Sequence, residues 1–538
     1  MSLPTVALVI PSFDGAHHLE SCLESVAALD YPRERLETIV VDNGSTDGTR
    51  ELLADRYPWA RVLPQAANTG FAAAVNTGAR ASTADCLALA NNDMRLDAKW
   101  LRELVATYDP AAGVRCVAGL ILDAQGELID FADGYLSFYG MGGQTGFGRR
   151  LDATPIEDGR ELLFACGGSM LVDRALFLEL GGFDESFFAY FEDVDFGWRL
   201  RLAGYRVLLA AAARTFHRHH GSANVFTQPQ RLVLYERNAL LTLTKNLDDA
   251  NLYPVLAAAL CLTSGRSLAD SGTNPSSYEV GGPAPPERET VPANAISRLH
   301  AVSQFVGLLD HALGERSRVQ ALRRRTDAEL FELFRRPFWT PYREEGYLEA
   351  AGRVVRAFGI EERFPKRRAA RLLLVGAGDA TTARLARAAA GLVYVVVAAA
   401  APMDISGVET LVVAPGKLEP LVRESDVVLV EAGAPLAAEA LQAAEGVRPV
   451  ALHEGGGDLP AQLWDLVDEP WRFGLDTSAA AAVPATTEEL QVLASVQREI
   501  RVGSPALGRG QAVWAHVPEP ARARLRPLLR RLQRGVRG

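Results

Sequence analysis

Apolar residues in the first part of the chain fall into short β-branched runs that alternate with segments of helical periodicity. VALVI (6–10) precedes HLESCLESVAAL (18–29), and LETIVVDNG (36–44) precedes TDGTRELLADRY. VLP (62–64) precedes GFAAAVNTGARAS, and CLALANND (86–93) precedes DAKWLRELVATY. Runs too short to be helices, separated by helices that open at Ser, Thr or Asp, predict βαβ units and a parallel sheet. Residues 115–165, which include YLSFYGMGGQTGFG, read as strand-rich, glycine-rich and irregular, suited to the substrate side of such a sheet. The stretch LELGGFDESFFAYFEDVDFGWRLRLAG predicts one helical run ending at Gly204, a residue type suited to the position just past a helix.

Residues 230–365 carry mostly helical patterning, interrupted by the Pro-, Gly- and Ser-rich TNPSSYEVGGPAPPERETVP (273–292), a linker or mobile loop. Thr326 and Glu329 have the spacing of a capping box. From Arg371 a second α/β pattern begins: RLLLVGAGDATTARLARAAAG, then VYVVVA, ETLVVA, DVVLVEA and PVALHE with helices between. The expected layout is an α/β domain over 1–246, a helical linker domain over 247–367, a Rossmann-like α/β domain over 368–475 and a helical C-terminal extension over 476–538.

Composition narrows the class. The chain has 538 residues, 48% hydrophobic and 23% charged, enough to bury a large core without disulfide or metal staples. A net charge of −10 gives no reason to expect nucleic-acid binding. Cys22, Cys86, Cys116, Cys166 and Cys261 are scattered, without zinc spacing, and read as small core residues in a reducing compartment. VALVIPSFDG follows the N-terminus without a signal-peptide pattern, and LYPVLAAALCLTS (252–264) reads as a buried helix, so a cytoplasmic protein is expected. The tail ARARLRPLLRRLQRG is basic and amphipathic; it suits peripheral contact with an anionic membrane surface, or docking on the acidic body of the protein.

Three polar clusters end successive strands: Pro11, Ser12 and Asp14; Asp42, Ser45 and Asp47; Asn91, Asn92 and Asp93. In an open parallel sheet these ends converge on one crevice, which is where ligands bind. Asp47, before GTRELL, reads as a helix cap. Glu192 and Asp193 open a helix whose apolar stripe is Val194, Trp198 and Leu202, and acids there also occur for purely structural reasons. The loop GAGDAT of the second α/β pattern has Gly376 and Gly378 but Thr381 at the third glycine position, weak evidence for a dinucleotide site.

The ordered segments VIPSFDG, IVVDNGSTDGT, NTGFAAAVNTG, ALANND, CGGSMLVDRALFLELGGFDESFFAYFEDVDFGWRLRLAGYRV and FHRHHGS resemble the family 2 glycosyltransferases of GT-A fold. The likeness leans toward bacterial rhamnosyltransferase-like and galactofuranosyltransferase-like members. It spans about residues 5–246 and includes YERNALLTLTKN, similar to an Arg-Asn segment of that family. It implies a GT-A nucleotide-sugar-binding domain at the N-terminus and an inverting transfer of a sugar, L-rhamnose being favoured, from a UDP- or dTDP-sugar. The implied acceptor is a glycan or lipid-linked hydroxyl.

The resemblance also assigns roles. Asp93 is the acid of a DXD-like segment whose first carboxylate is replaced by Asn91; with His217 it would hold Mg2+ or Mn2+, hard ions that keep several waters and need few protein ligands. A three-histidine zinc site at His217, His219 and His220 competes, but the neighbouring motifs supply oxygen. Asp42 would accept the ring N–H of uracil or thymine, with Pro11, Phe13 and Asp14 lining the base and ribose pocket. Asn68, Gly70 and Phe71 would lie by the ribose and diphosphate, with Asn91 and Asn92 beside them. Gly167 and Gly168 match an acceptor-side loop. One of Glu192 and Asp193 would take the proton of the incoming hydroxyl, while Asp195 reads as structural or as an acceptor contact. A nucleotidyltransferase would need a basic glycine-rich loop after strand one, which PSFDGAHHLE lacks; an inactive sugar-binding scaffold is the other alternative.

Overall fold

The computed structural model describes residues 3–453 apart from 155, 219–225, 274–279, 283–289, 343–344, 365–370, 391–393, 404, 406–407, 426, 432 and 445–449. The basic tail, the 476–538 extension, His219, His220 and most of the 273–292 linker therefore lie outside the described residues. Contacts divide the chain into two units, Met1–Pro337 with Phe358–Pro365, and Phe338–Ala357 with Lys366–Gly538.

In the first unit the order is β1 (Val6–Ser12), α1 (Ala16–Ala27), β2 (Leu36–Asp42), α2 (Thr49–Arg56), β3 (Arg61–Pro64), α3 (Phe71–Ala81), β4 (Cys86–Ala90), β5 (Met94–Leu96) and α4 (Trp100–Thr107). There follow β6 (Val114–Asp123), β7 (Ile129–Phe131), β8 (Asp133–Leu136), β9 (Gly142–Thr145), β10 (Ser169–Asp173), α5 (Arg174–Glu179), α6 (Glu192–Leu202) and β11 (Arg206–His217). Helices α7 (Gln228–Asn246), α8 (Asp249–Ser271), α9 (Ala293–Gly307), α10 (Leu309–Leu322) and α11 (Asp327–Phe331) pack on this α/β body and share its compact unit.

The central sheet runs β3-β2-β1-β4-β10-β6-β11-β5, with β7 on β6. β1 to β4 pair in parallel, and Val6 through Ile10 are fully buried, as strands covered on both faces must be. The register sets Ser12 beside Asp42 and lets Asn91 follow β4 at the same sheet end. β10 is antiparallel to both β4 and β6, and β11 is parallel to β6. The last residue of β11, His217, faces Met94 of β5 across an antiparallel pair and Asp123 of β6 on its other side. Distant strand ends are thereby gathered along one edge.

The run 178–204 is not one helix. After α5 the chain turns through Gly181 and Gly182, both with positive φ, passes a short 3-10 turn and takes left-handed backbone at Phe188, Tyr190 and Phe191 before α6 begins. Three closely spaced aromatic residues in that region are outliers for bulky side chains, which propensity alone could not foresee. Helix α6 does end at a glycine: Gly204 has φ +93° and its N–H donates to Arg201 O. The capping box of Thr326 and Glu329 forms at the start of α11.

Among the described residues, α8 is the helix long and apolar enough to cross a membrane. It is buried on one side only, through Val255, Ala258, Ala259 and Leu262, while Tyr253 and Leu268 are exposed. Its buried Arg266 pairs with Glu236 of α7, and Arg298 of α9 joins the same carboxylate.

The second unit contains α12 (Glu345–Ala357), β12 (Arg371–Gly376), α14 (Ala380–Ala390), β13 (Tyr394–Ala399), β14 (Glu409–Val412), α15 (Glu419–Glu424), β15 (Val427–Glu431), α16 (Ala437–Ala444) and β16 (Val450–His453), while α13 (Ile360–Arg363) belongs to the first. Its strands are all parallel in the order β14-β13-β12-β15-β16, around Leu373, Val375, Val396, Val428 and Val430. In its G-x-G loop the Ala377 N–H donates to Glu431 Oε2 at 3.1 Å and the Thr382 hydroxyl to the same oxygen at 2.7 Å. The Ala377 N–H of this loop is thus engaged by the protein's own carboxylate.

Candidate active site

The strand ends carry a connected set of polar side chains. Ser12 accepts from Asn92 Nδ2 at 3.0 Å, both buried. Asp14, with φ +45°, accepts the Thr46 N–H at 2.7 Å, so β1 and the loop after β2 are tied together, while Pro11, Phe13 and Asp14 themselves stay partly exposed at the mouth. Asp47 accepts Thr49 N–H at 3.2 Å with one oxygen and Ala16 N–H at 2.9 Å with the other; the N-cap of α2 is Gly48, so Asp47 is not the cap residue but ties the first residues of α1 and α2 together from just outside the helix.

Asp42 is fully buried, and both of its oxygens are engaged, one by Ser45 N–H at 3.1 Å and the other by Arg50 Nε. A nucleobase reaching this carboxylate has to share it with the half-exposed Arg50. Its neighbour Asn43 does more local work: its amide oxygen accepts Thr69 N–H and its nitrogen donates to Asn68 Oδ1 and the Gly70 carbonyl, all at 3.0–3.1 Å. Sequence reasoning passed over Asn43, although it sits beside Asp42 at the strand end. Gly70 has φ +89°, and a β-carbon there would stand 2.5 Å from Phe188 O. Backbone of two loops meets at this point, and glycine is the residue that permits it. Phe71 stacks on Phe183 at 6.2 Å.

Asp93 is 3% exposed and stands 3.2 Å from His217 Nε2, while Asp130 Oδ2 lies 2.5 Å from His217 Nδ1. Burial opposes charge on His217, but hydrogen bonds and charge from Asp130 and Asp93 outweigh it and carry the imidazole up to about 9. Burial likewise works against ionised Asp93, yet the His217 contact holds its carboxyl below the usual range. Asp130, in β7, is a residue that sequence reasoning missed. In the order Asp130–His217–Asp93 one carboxylate stands behind the histidine and orients the ring, and an ion using Nε2 would have to displace the proton it shares with Asp93.

Among the described residues no group of three or more His, Cys, Asp or Glu side chains is gathered as a metal cage. The donor set of one buried carboxylate and one oriented imidazole fits a hard divalent ion that also takes ligand phosphates and water; the zinc alternative falls on His219 and His220, which lie outside the described residues. His18, from α1, is held low by burial and by His17, against the charge of Asp93.

The 167–168 pair links this edge to α6. A β-carbon on Gly168 would lie 3.2 Å from Asn91 Nδ2, and one on Gly167 would lie 3.2 Å from the Phe71 ring. Gly167 N–H donates to Asp193 Oδ2 at 3.0 Å, and Val194 N–H donates to Asp193 Oδ1 at 2.8 Å. Glu192, 6% exposed, has a buried Oε2 with no hydrogen-bond partner among the described residues; burial and then the adjacent Asp193 charge push its carboxyl well above the usual range. Asp193 is less enclosed, and its carboxyl is raised by burial against those two N–H bonds. Asp195 is fully buried between Arg199, Asn246 and Lys245, a structural position.

The family model described as glycosyl transferase family 2 matches residues 7–181. The N-acetylglucosaminyl-diphospho-decaprenol L-rhamnosyltransferase of Mycobacterium tuberculosis is 33% identical over 241 residues, 40% of this chain and 75% of the relative. Glycosyltransferase AglE of Haloferax volcanii is 35% identical over 121 residues, 22% of this chain and 40% of that one. The O-antigen biosynthesis protein RfbC of Myxococcus xanthus is 29% identical over 244 residues, 42% and 18% respectively. Among solved structures, S. aureus TarS is matched at TM-score 0.37 and 16% identity over 59% of this chain and 50% of that one, too distant to add to the argument. An α/β sheet whose strand ends carry the ordered motifs, a family model across them and a relative one-third identical over three quarters of its length place this chain in the family 2 glycosyltransferases, α/β enzymes of GT-A fold that transfer sugar from a nucleotide sugar.

Proposed function

We propose that the protein is an inverting, metal-dependent hexosyltransferase that takes a sugar from a UDP- or dTDP-sugar, L-rhamnose being favoured. The acceptor would be a hydroxyl of a lipid-linked or cell-surface glycan; the mycobacterial relative, an N-acetylglucosaminyl-diphospho-decaprenol L-rhamnosyltransferase, supports rhamnose and a lipid-linked acceptor. The donor lies across the ends of β1, β2 and β4, with its base toward Pro11, Phe13, Asp14 and Asp42 and its diphosphate toward Asn68, Gly70, Asn91 and Asn92. Asp93 and His217 would hold Mg2+ or Mn2+, which supplies Lewis-acid stabilisation of the leaving diphosphate. The site of action is the cytoplasmic side, at or near the membrane that carries the acceptor.

The acceptor oxygen attacks the anomeric carbon from the face opposite the diphosphate. The bond from that carbon to the phosphate oxygen breaks, and the hydroxyl proton passes to a carboxylate. We assign that base to Asp193. The observation that carries the assignment is Asp193 Oδ2 accepting Gly167 N–H at 3.0 Å: it fixes the less enclosed of the two carboxylates against the acceptor-side loop and favours its ionised form. Glu192, more enclosed, is the partner held neutral. Asp193→Asn is expected to lower transfer about 100-fold or more, read as sugar incorporation into acceptor, while donor affinity measured by calorimetry changes less than about twofold. Undiminished transfer removes Asp193 from the mechanism, and an absence of both binding and transfer in the native protein favours an inactive scaffold.

A further inference from the structure

The segment that delivers Glu192 and Asp193 to the site is held by two adjacent side chains of α7. Arg237 Nη2 donates to Ser186 O at 3.1 Å and to Phe187 O at 2.9 Å. Asn238 Nδ2 lies 3.1 Å from Phe187 O, 3.0 Å from Ala189 O and 2.7 Å from Tyr190 O. Arg237 Nε donates to Asn238 Oδ1 at 2.9 Å, which fixes the amide's orientation. Asn238 is fully buried and Arg237 nearly so. Four carbonyls in five residues are thus gripped from one helical turn.

What they grip is strained. Phe188, Tyr190 and Phe191 have φ of 67°, 69° and 70°. A left-handed non-glycine residue costs roughly 1–2 kcal/mol, and such conformations persist only where the surroundings over-determine them. Phe191 is the residue immediately before α6, whose first two residues are Glu192 and Asp193. The same segment touches the donor side: Phe188 O accepts Ala72 N–H at 3.3 Å and abuts Gly70. Without a counterweight the three aromatics would relax to ordinary backbone, and the start of α6 would turn with them.

We infer that Arg237 and Asn238 are positioning residues for transfer: they hold residues 186–190 in the strained conformation that sets the acid pair of α6 against the acceptor-side loop. The inference rests on the assignment of that acid pair to proton removal. Neither side chain touches substrate in this account.

The test compares Asn238→Ala and Arg237→Lys with the native enzyme by steady-state transfer, with donor affinity and thermal unfolding measured separately. A displacement of about 1 Å can cost on the order of 100-fold in rate. Asn238→Ala is therefore expected to lower kcat 10- to 100-fold while donor KM stays within about twofold. Lysine keeps one donor for the carbonyls of 186 and 187, so Arg237→Lys is expected to retain more of kcat than Arg237→Ala. A purely structural role lowers the amount of active enzyme without this split. Should Asn238→Ala not fold, the arginine pair decides. Native kcat in a folded Asn238→Ala or in Arg237→Ala overturns the inference. If those variants are impaired as expected but Asp193→Asn and Glu192→Gln are both fully active, the acid-pair reading has failed instead.

Discussion

Asp130 Oδ2 lies 2.5 Å from Nδ1 of His217, which leaves the other imidazole nitrogen toward Asp93. The carboxylate comes from β7 and the histidine from the end of β11, two strands that each pair with β6. A histidine held this way presents one nitrogen in one direction, and a metal ligand needs that.

Asp130→Asn should therefore weaken Mn2+ binding about 10- to 100-fold, the usual effect of removing a carboxylate behind a ligating histidine. Calorimetric titration of Mn2+ in the presence of nucleoside diphosphate measures it. Unchanged affinity would mean that His217 does not ligate the ion.

The acid pair predicts a pH profile. Burial raises both carboxyls, so the group that must be ionised titrates above the ordinary carboxylate range. Transfer falls as pH drops through that raised value, at a pH higher than an exposed aspartate would give. Glu192 is the member held neutral, and an amide mimics a neutral carboxyl. Glu192→Gln is expected to keep transfer within about 10-fold of native, in contrast to Asp193→Asn, since a positioned base contributes about 100-fold or more. A reversed ranking, measured as kcat against pH for each variant, would give the base role to Glu192.

A second buried acid bears on stability. Asp184 pairs with Lys245 at 2.6 Å, and the ammonium holds its carboxyl far below the usual range despite burial. A depressed folded pKa contributes stability that is fully present above the unfolded value of about 3.9 and is lost as pH falls below it. Asp184→Asn is expected to cost about 3 kcal/mol at neutral pH, softened because Asp195 remains 3.0 Å from Lys245. Urea unfolding at pH 7 and again below pH 4 should show that deficit shrinking; a deficit independent of pH contradicts the ion-pair account.

Apolar runs made the parallel half of the sheet legible, because VALVI, IVV and LALA are buried on both faces and leave polar residues only at their ends. Asp14, Asp42 and Asp93 were visible for that reason. Asp130 was not: β7 is three residues long, too short for any period to mark a buried acid within it. The break before α6 was also hidden, since an aromatic-rich stretch reads as helix by pattern. Its left-handed backbone is imposed from α7, a contact between residues about fifty positions apart. Arg50 on Asp42 is a similar case, since nothing in TDGTRELL announces which carboxylate the guanidinium will meet.

The central claim is that donor binding depends on a divalent ion held by Asp93. Thermal unfolding with a panel of nucleotide sugars, with and without Mn2+, tests it most directly. A UDP- or dTDP-sugar is expected to raise the Tm only when Mn2+ is present, and Asp93→Ala should abolish that rise. An equal rise in the mutant, or a full rise without metal, contradicts the account.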